Sequence, residues 1–99
     1  MPKILPPPHP GEAILEDYLK PLGMSVNQLA KELKIVPSRL NDIVRGRRGI
    51  TADTALRLAR YFGTSTEFWM GLQSLYDIRM AERAAGDRIA REIKPREAA

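Results

Sequence analysis

The stretch that decides the fold is SVNQLAKELKIVPSRLNDIV, residues 25–44 of the 99-residue chain. Ser25 predicts the start of a helix, because Gln28 follows at the spacing of a capping box. Pro37 predicts the first turn of a second helix, since proline fits that position and needs no N–H there. The apolar residues that return at helical spacing are Val26, Leu29, Ala30, Leu33, Leu40, Ile43 and Val44. Two short helices with a tight turn between them indicate either an ordinary helical hairpin or a helix-turn-helix.

Positive charge is concentrated in the middle of the chain. The formal net charge is +4, and residues 34–60 carry seven Lys or Arg against two acidic residues. The flanking segments carry no surplus, with three bases against four acids in residues 1–33 and six against six in residues 61–99. A local surplus is typical of a surface that neutralises phosphates, although it also fits a solvated face. Together with the glycine-bracketed basic loop at residues 46–49, it favours a DNA-binding helix-turn-helix over a hairpin.

The rest of the chain also has the pattern of helices, because apolar residues recur three and four apart and no segment alternates at period two. A first helix is expected from Pro10 to a stop at residues 21–23. A fourth is expected from a Thr51 cap to Gly63. With a fifth at the C-terminal end, the predicted fold class is all-α, a five-helix domain without a sheet.

The two ends of the chain differ from its middle. Residues 1–9 are rich in proline and are expected to form an extended arm, whereas residues 10–99 are expected to form a single domain. Thr64 and Glu67 have capping-box spacing and predict the start of a long C-terminal helix over about residues 65–94. Charged side chains dominate the second half of that helix, so this half is expected to be exposed and held by weak i,i+4 pairs.

Five positions around the turn decide between the two folds. Ala30 is small where the helices must cross, and Ile35 is apolar just after the turn. Leu40 and Ile43 supply the inner face of the second helix, and this spacing of zero, five, ten and thirteen residues resembles the phage-repressor superfamily. The turn glycine usual in that pattern is Lys34 here, which predicts a left-handed lysine at a cost of about 1 kcal/mol.

The resemblance narrows to one family over residues 4–80. The stretches that carry it are His9–Glu12, Leu29–Ala30, Asn41–Thr51, Phe68–Gln73 and Tyr76–Asp77. On these stretches the chain is similar to the HigA antitoxins, which are also called VapI-like. That resemblance implies an XRE-type repressor fold, a homodimer, binding to the operator DNA of its own operon, and neutralisation of a HigB-like toxin, an mRNA-cutting ribonuclease.

Candidate DNA contacts form two groups. The outward positions of the second short helix are candidates for reading base edges, and they are Ser38, Arg39, Asn41, Asp42 and Arg45. Arg39 suits a guanine edge and Asn41 an adenine edge, because their donors and acceptors match those bases. Ser38 suits a base or a phosphate, and Asp42 either accepts from cytosine or orients a neighbouring arginine. The candidates for phosphate contacts are Gln28, Arg47 and Arg48.

Specific recognition is expected to need two copies of the chain, because one short recognition helix reads only a few base pairs. The operator is therefore expected to be an inverted repeat of double-stranded DNA bound by a two-fold homodimer. The long helix carries an apolar stripe beyond what a small core covers, and this stripe is the expected dimer interface. Its residues are Trp69, Tyr76 and Met80.

Other function classes gain little support from the composition. The chain has no Cys and one His, which excludes disulfides, thiolate zinc sites and a Cys nucleophile. The single His9 is expected to cap the first helix or lie exposed, since one His makes no ligand set. No enzymatic activity, metal, cofactor or membrane segment is expected, and the cytoplasm is the expected location. The alternative function is a stand-alone XRE-type transcriptional repressor with no toxin partner.

Overall fold

The computed structural model describes residues 7–97, so residues 1–6 of the expected arm lie outside the described residues. The described part forms five helices and no strand, which confirms the predicted fold class. α1 consists of three consecutive segments, Pro10–Ala13, Ile14–Leu19 and Lys20–Leu22. The others are α2 (Val26–Leu33), α3 (Pro37–Val44), α4 (Ala52–Phe62) and α5 (Thr66–Glu92). None of these helices is both long enough and apolar enough to cross a membrane.

The middle of α1 departs from regular α-helix. Its segment Ile14–Leu19 is a π-helix, in which the Lys20 N–H reaches back to the Leu15 carbonyl. Pro21 follows at once, and in a regular α-helix its ring crowds the carbonyl four residues earlier. The wider π turn accommodates the proline without breaking the helix. Gly23, with a φ of 64°, then ends α1 within the predicted stop.

The core lies between α1, α2, α3, α4 and the first half of α5. Trp69 is 0% exposed, and its ring lies 5.3 Å from that of Tyr18 and 6.3 Å from that of Phe62 between centroids. The other buried apolar residues are Ile14, Leu19, Leu29, Ala30, Leu33, Leu40, Ile43, Ile50, Ala55, Leu58 and Ala59. The prediction that Trp69 belongs to a dimer interface is wrong, because the protomer itself covers the whole side chain.

The cap of α5 lies one residue later than predicted. Ser65 Oγ accepts a hydrogen bond from the Phe68 N–H at 3.0 Å. Thr64 instead accepts from the Trp69 indole Nε1 at 2.7 Å. The predicted Thr64–Glu67 capping box is therefore wrong, because the buried indole takes the hydroxyl that the cap would use.

The second half of α5 leaves the core, as expected. Residues 81–92 are exposed except for the half-buried Ala85 and Gly86. The helix runs without interruption through Gly86 and ends at Glu92, slightly earlier than predicted. Ion pairs on this helix include Arg79 with Glu82 at 2.9 Å and Arg88 with Glu92 at 4.0 Å.

Candidate nucleic-acid interface

α2 and α3 form the predicted helix-turn-helix, and its turn is built around Lys34. This residue has a φ of 60°, the left-handed conformation expected where the lysine replaces the turn glycine. Arg57 of α4 reinforces the turn, because its Nη1 donates to the Leu33 carbonyl at 2.9 Å and so satisfies the end of α2. The sequence pattern does not identify Arg57, since its partner lies 24 residues away in the chain.

α1 packs directly on α3, the recognition helix. Gly11 is buried, and a Cβ at this position would lie 1.8 Å from the Ile43 carbonyl oxygen. No side chain fits in that space, so the glycine is what allows the two helix backbones to approach. The C-terminal end of α3 is therefore fixed by α1.

The outward face of α3 presents four of the five predicted base readers. They are Ser38 and Arg45, which are exposed, and Asn41 and Asp42, which are half-buried. Asn41 is oriented by neighbours, because its Nδ2 donates to the Pro37 carbonyl at 2.9 Å and to Asn27 Oδ1 at 3.3 Å. Asn27, in the first turn of α2, is a residue that the sequence pattern does not single out, although it stands directly beside Gln28.

Arg39 lies on the flank of α3 and differs from the other four. It is half-buried, and its Nη2 donates to the hydroxyls of Thr51 and Thr54 at 3.0 Å each. Thr51 caps α4 and Thr54 is fully buried, so Arg39 joins the recognition helix to α4. Its Nε is buried and has no partner within residues 7–97. A guanine contact by Arg39 stays a prediction. It requires that Nη1 donates to the base, or that Nη2 gives up its hydrogen bonds to the two threonines.

The three predicted phosphate contacts occupy exposed positions. The capping box at the start of α2 is confirmed: Gln28 Oε1 accepts from the Ser25 N–H at 2.8 Å, and Ser25 Oγ accepts from the Gln28 N–H at 3.1 Å. The cap leaves the Nε2 amide group of Gln28 for an outside acceptor. Arg47 and Arg48 form no ion pair with an acidic side chain in the described part of the chain. Both charges are therefore available to a polyanion.

Gln73 of α5 anchors the end of the basic loop. It is 8% exposed, and its Oε1 accepts from the Ile50 N–H at 2.7 Å. Its Nε2 donates to Asp77 Oδ1 at 2.9 Å, which fixes the orientation of the amide. A Cβ on Gly49 would lie 2.9 Å from Gln73 Nε2, so the loop backbone lies directly on this side chain. The signal in the sequence is a glutamine at a position where helical spacing places an inward-facing residue.

His9 meets the basic loop at its beginning. A Cβ on Gly46 would lie 3.7 Å from the imidazole Cγ, and the ring packs edge-on against Tyr76 with centroids 4.8 Å apart. Its Nδ1 accepts from the Gly11 N–H at 2.9 Å, which confirms the predicted cap of α1. Burial lowers the pKa of His9 from its usual 6.5, against an opposing effect of the Asp77 carboxylate. The cap uses the neutral ring, because an Nδ1 that accepts a hydrogen bond carries no proton.

The sequence of this chain matches a known family over most of the region just described. The family model HTH_3, described as Helix-turn-helix, matches residues 15–69, a range that contains α2, α3 and α4 whole. Virulence-associated protein I of Dichelobacter nodosus is 57% identical over 79 residues, which cover 80% of this chain and 73% of that protein.

Solved structures share the fold beyond the helix-turn-helix. An addiction module antidote protein of a HigA family from Coxiella burnetii has a TM-score of 0.89 at 50% identity, covering 93% of this chain and 100% of that one. The Pseudomonas aeruginosa antitoxin HigA, solved with the higBA promoter, has a TM-score of 0.88 at 48% identity, covering 90% and 97%. The similarity therefore includes α1 and most of α5.

Proposed function

This chain belongs to the HTH_3 helix-turn-helix family, as one of its HigA-type members, and we propose that it acts as a DNA-binding antitoxin. As a dimer it binds the operator DNA of its own operon and represses transcription, and it neutralises a HigB-like mRNA-cutting ribonuclease. The observation that carries the proposal is the outward polar face of α3 beside the exposed arginines of the basic loop. The P. aeruginosa antitoxin of the same fold, solved with a promoter, supports DNA as the ligand.

Base recognition is assigned to α3, which enters the major groove with its outward face toward the base edges. Asn41 is pre-positioned for adenine by its 2.9 Å bond to the Pro37 carbonyl. Its longer bond to Asn27, at 3.3 Å, is the one that adenine N7 replaces, while Oδ1 accepts from adenine N6. Arg45, exposed at the end of α3, contacts a guanine or a phosphate. Ser38, exposed in the first turn of α3, contacts a base or a phosphate.

Phosphate binding is assigned to the elements on either side of α3. The Nε2 amide of Gln28 lies at the N-terminus of α2, where the helix dipole and free backbone N–H groups favour an anion. Arg47 and Arg48 supply full charges from the loop, whose two ends are held by His9 and Gln73. These contacts fix the register of the protein on the duplex and carry no sequence information of their own.

The dimer is proposed because two recognition helices about 34 Å apart gain the specificity that one lacks. With Trp69 buried, Tyr76 and Met80 remain the candidate interface residues, and both are half-buried in the protomer. Tyr76 is covered in part by His9. The inverted repeat of the operator mirrors the two-fold axis of the dimer.

The antitoxin half of the proposal is supported by the likeness to an addiction module antidote of a HigA family. Neutralisation consists of binding the ribonuclease as a protein partner, and the chain itself performs no catalysis and needs no cofactor. Its place of action is the cytoplasm, where the operator and the mRNA meet.

DNA binding is tested by titrating a fluorescent duplex from upstream of the gene, and a scrambled duplex of the same length, at several salt concentrations. The affinity is expected to fall with salt, with a slope of log K against log salt near −0.9 per phosphate neutralised. The upstream duplex should bind more tightly than the scrambled one at every salt concentration. An affinity independent of salt, or equal on both duplexes, would contradict operator binding.

The antitoxin function is tested with a HigB-like ribonuclease encoded in the same operon. The purified chain is expected to bind this enzyme and to stop its cleavage of mRNA at equimolar concentration. Operator binding without any effect on the ribonuclease would instead support a stand-alone repressor.

A further inference from the structure

A groove between α1 and α5 is not used by the DNA-binding machinery. It has a volume of about 320 Å³ and is lined by residues 7–10 and Ala13 on one side and by Leu72 and Leu75 on the other. Leu75 is 45% exposed, so an apolar side chain is open to an occupant. We name this feature the α1–α5 groove.

Within residues 7–97, the rim of the α1–α5 groove carries charge of one sign. Its charged residues are Glu12, Glu16 and Asp17, all exposed, and no Lys or Arg among the described residues lines it. Lys20 Nζ pairs with Glu16 Oε1 at 2.8 Å and neutralises it, but Lys20 itself does not line the groove. Glu12 and Asp17 form no ion pair within residues 7–97. The groove therefore combines an apolar floor with two unneutralised carboxylates.

A second groove, between α2 and α4, provides a contrast. It is larger, about 550 Å³, and has the exposed Leu56 in its lining. Its charges balance, since Glu32 and Asp53 face Arg57 and Arg60, and Asp53 bonds to Arg57 at 2.8 Å. Of these two grooves, the α1–α5 groove is thus the one that selects the sign of its occupant, and its negative rim repels nucleic acid.

We propose that the α1–α5 groove docks a segment of the partner ribonuclease in which apolar side chains alternate with Lys or Arg. This inference rests on the proposed function. An enzyme that binds polyanionic RNA needs a cationic surface, and this chain offers that surface a complementary acidic rim around an apolar anchor site.

The location of the groove lets both partners bind the same protomer. Gly11 turns toward α3 and contacts the Ile43 carbonyl, whereas Glu12 and Glu16 turn into the groove. DNA therefore meets the outward face of α3, whereas the ribonuclease meets a side of α1 that is not packed on α3. His9 belongs to both neighbourhoods, because it lines the groove and also packs beside Gly46 of the basic loop.

The first test measures the affinity of the full chain for the operon's ribonuclease by calorimetry. Leu75→Glu, and the double variant Glu12→Gln with Asp17→Asn, are each expected to weaken binding at least tenfold. The matched controls are Leu56→Glu in the other groove, and Glu32→Gln with Glu67→Gln, which remove the same charge elsewhere. They are expected to stay within twofold of the wild type. Circular dichroism and operator binding are measured for every variant.

The second test probes the groove without the ribonuclease. A peptide in which Leu alternates with Lys is titrated into the isotope-labelled full chain, and amide shifts are followed by NMR. The amides of Ala13, Leu72 and Leu75 are expected to move, and those of Leu56 and Tyr61 are not. A counterpart peptide with Glu in place of Lys is expected to move none of them.

The outcomes separate this inference from the proposed function. A wild-type chain that binds the ribonuclease, with groove variants that bind it equally well, would overturn the inference and leave the function standing. A wild-type chain that binds the Lys peptide but no ribonuclease would overturn the antitoxin function and the identity of the occupant together. Loss of operator binding by the folded Leu75→Glu variant would assign the groove to pairing between copies instead, and would also overturn the inference.

Discussion

The helix-turn-helix and the second half of α5 are both helical, yet different forces hold them in that form. Leu29 and Leu40 of the helix-turn-helix are 0% exposed, and Arg57 ties the end of α2 to α4. Residues 81–92 of α5 are almost all exposed and depend on pairs such as Arg88 with Glu92. Exposed pairs of this kind contribute only a few tenths of a kcal/mol. Burial thus fixes the first region, whereas the second has only local helix propensity and its attachment to the first half of α5.

The largest effect is expected where α5 enters the core. Trp69→Ala should lower the free energy of unfolding by about 3 to 5 kcal/mol, because it leaves a cavity between Tyr18 and Phe62. Phe68→Ala, at the neighbouring residue that is 43% exposed, should cost about 1 kcal/mol. Urea unfolding measures both. Similar losses for the two variants would mean that burial does not decide how much a residue in the first half of α5 contributes to stability.

The next effect concerns DNA recognition by the helix-turn-helix, the region that burial holds in place. Arg39→Ala should cost about 1 to 3 kcal/mol on the operator and relax the sequence preference at one position. Because Arg39 also binds Thr51 and Thr54, its unfolding curve has to be recorded alongside the titration. Equal losses on operator and scrambled DNA would show that Arg39 acts by holding α3 against α4 and does not read a base.

A smaller loss of DNA affinity, similar on all sequences, is expected when charge is removed from the basic loop beside the helix-turn-helix. Removing the same charge from the second half of α5 is expected to have no such effect. Replacing Arg47 and Arg48 together by Ala should weaken binding similarly on every sequence and reduce the salt slope by about two units, one for each phosphate that is no longer neutralised. The matched control replaces Arg88 and Arg91 of the second half of α5 by Ala. If the control variant reduces the salt slope as much, the second half of α5 also lies on the DNA.

The smallest effect is expected in the second half of α5. Gly86→Ala should increase helix content over residues 81–92, because alanine is favoured over glycine in a helix interior by about 1 kcal/mol. The site has room, since the nearest atom to an added Cβ, Glu82 Cβ, is 3.8 Å away. Amide hydrogen exchange should slow in the second half of α5 while the urea midpoint of the core barely moves. Exchange that slows equally in α2 and α3 would mean that the two regions unfold as one unit.

Features decided within a few residues of chain could be predicted from the sequence. Ser25 with Gln28, Pro37, the left-handed Lys34 and the Thr51 cap all follow from local backbone chemistry, and the structure confirms each of them. The spacing of Ala30, Ile35, Leu40 and Ile43 then predicts the crossing of two helices, because helical period alone determines which side chains face inward.

Features decided by packing could not be predicted in the same way. The helical stripe places Trp69 at an interface, whereas its burial depends on Tyr18 and Phe62, which come from two other helices. The same burial moves the cap of α5 from Thr64 to Ser65. The bonds of Arg57 to Leu33 and of Gln73 to Ile50 join residues more than twenty positions apart, and no local pattern marks such partners.

The length of α5 also has a hydrodynamic consequence. The chain has a Cα radius of gyration of 16.7 Å and principal extents of 52 × 30 × 21 Å. A compact domain of this length has a radius of gyration of about 13 Å. An elongated particle meets more friction in water than a sphere of equal mass, so a lone chain leaves a sizing column early, at the volume of a heavier sphere. The number of chains per particle is therefore read correctly by light scattering and overstated by elution volume.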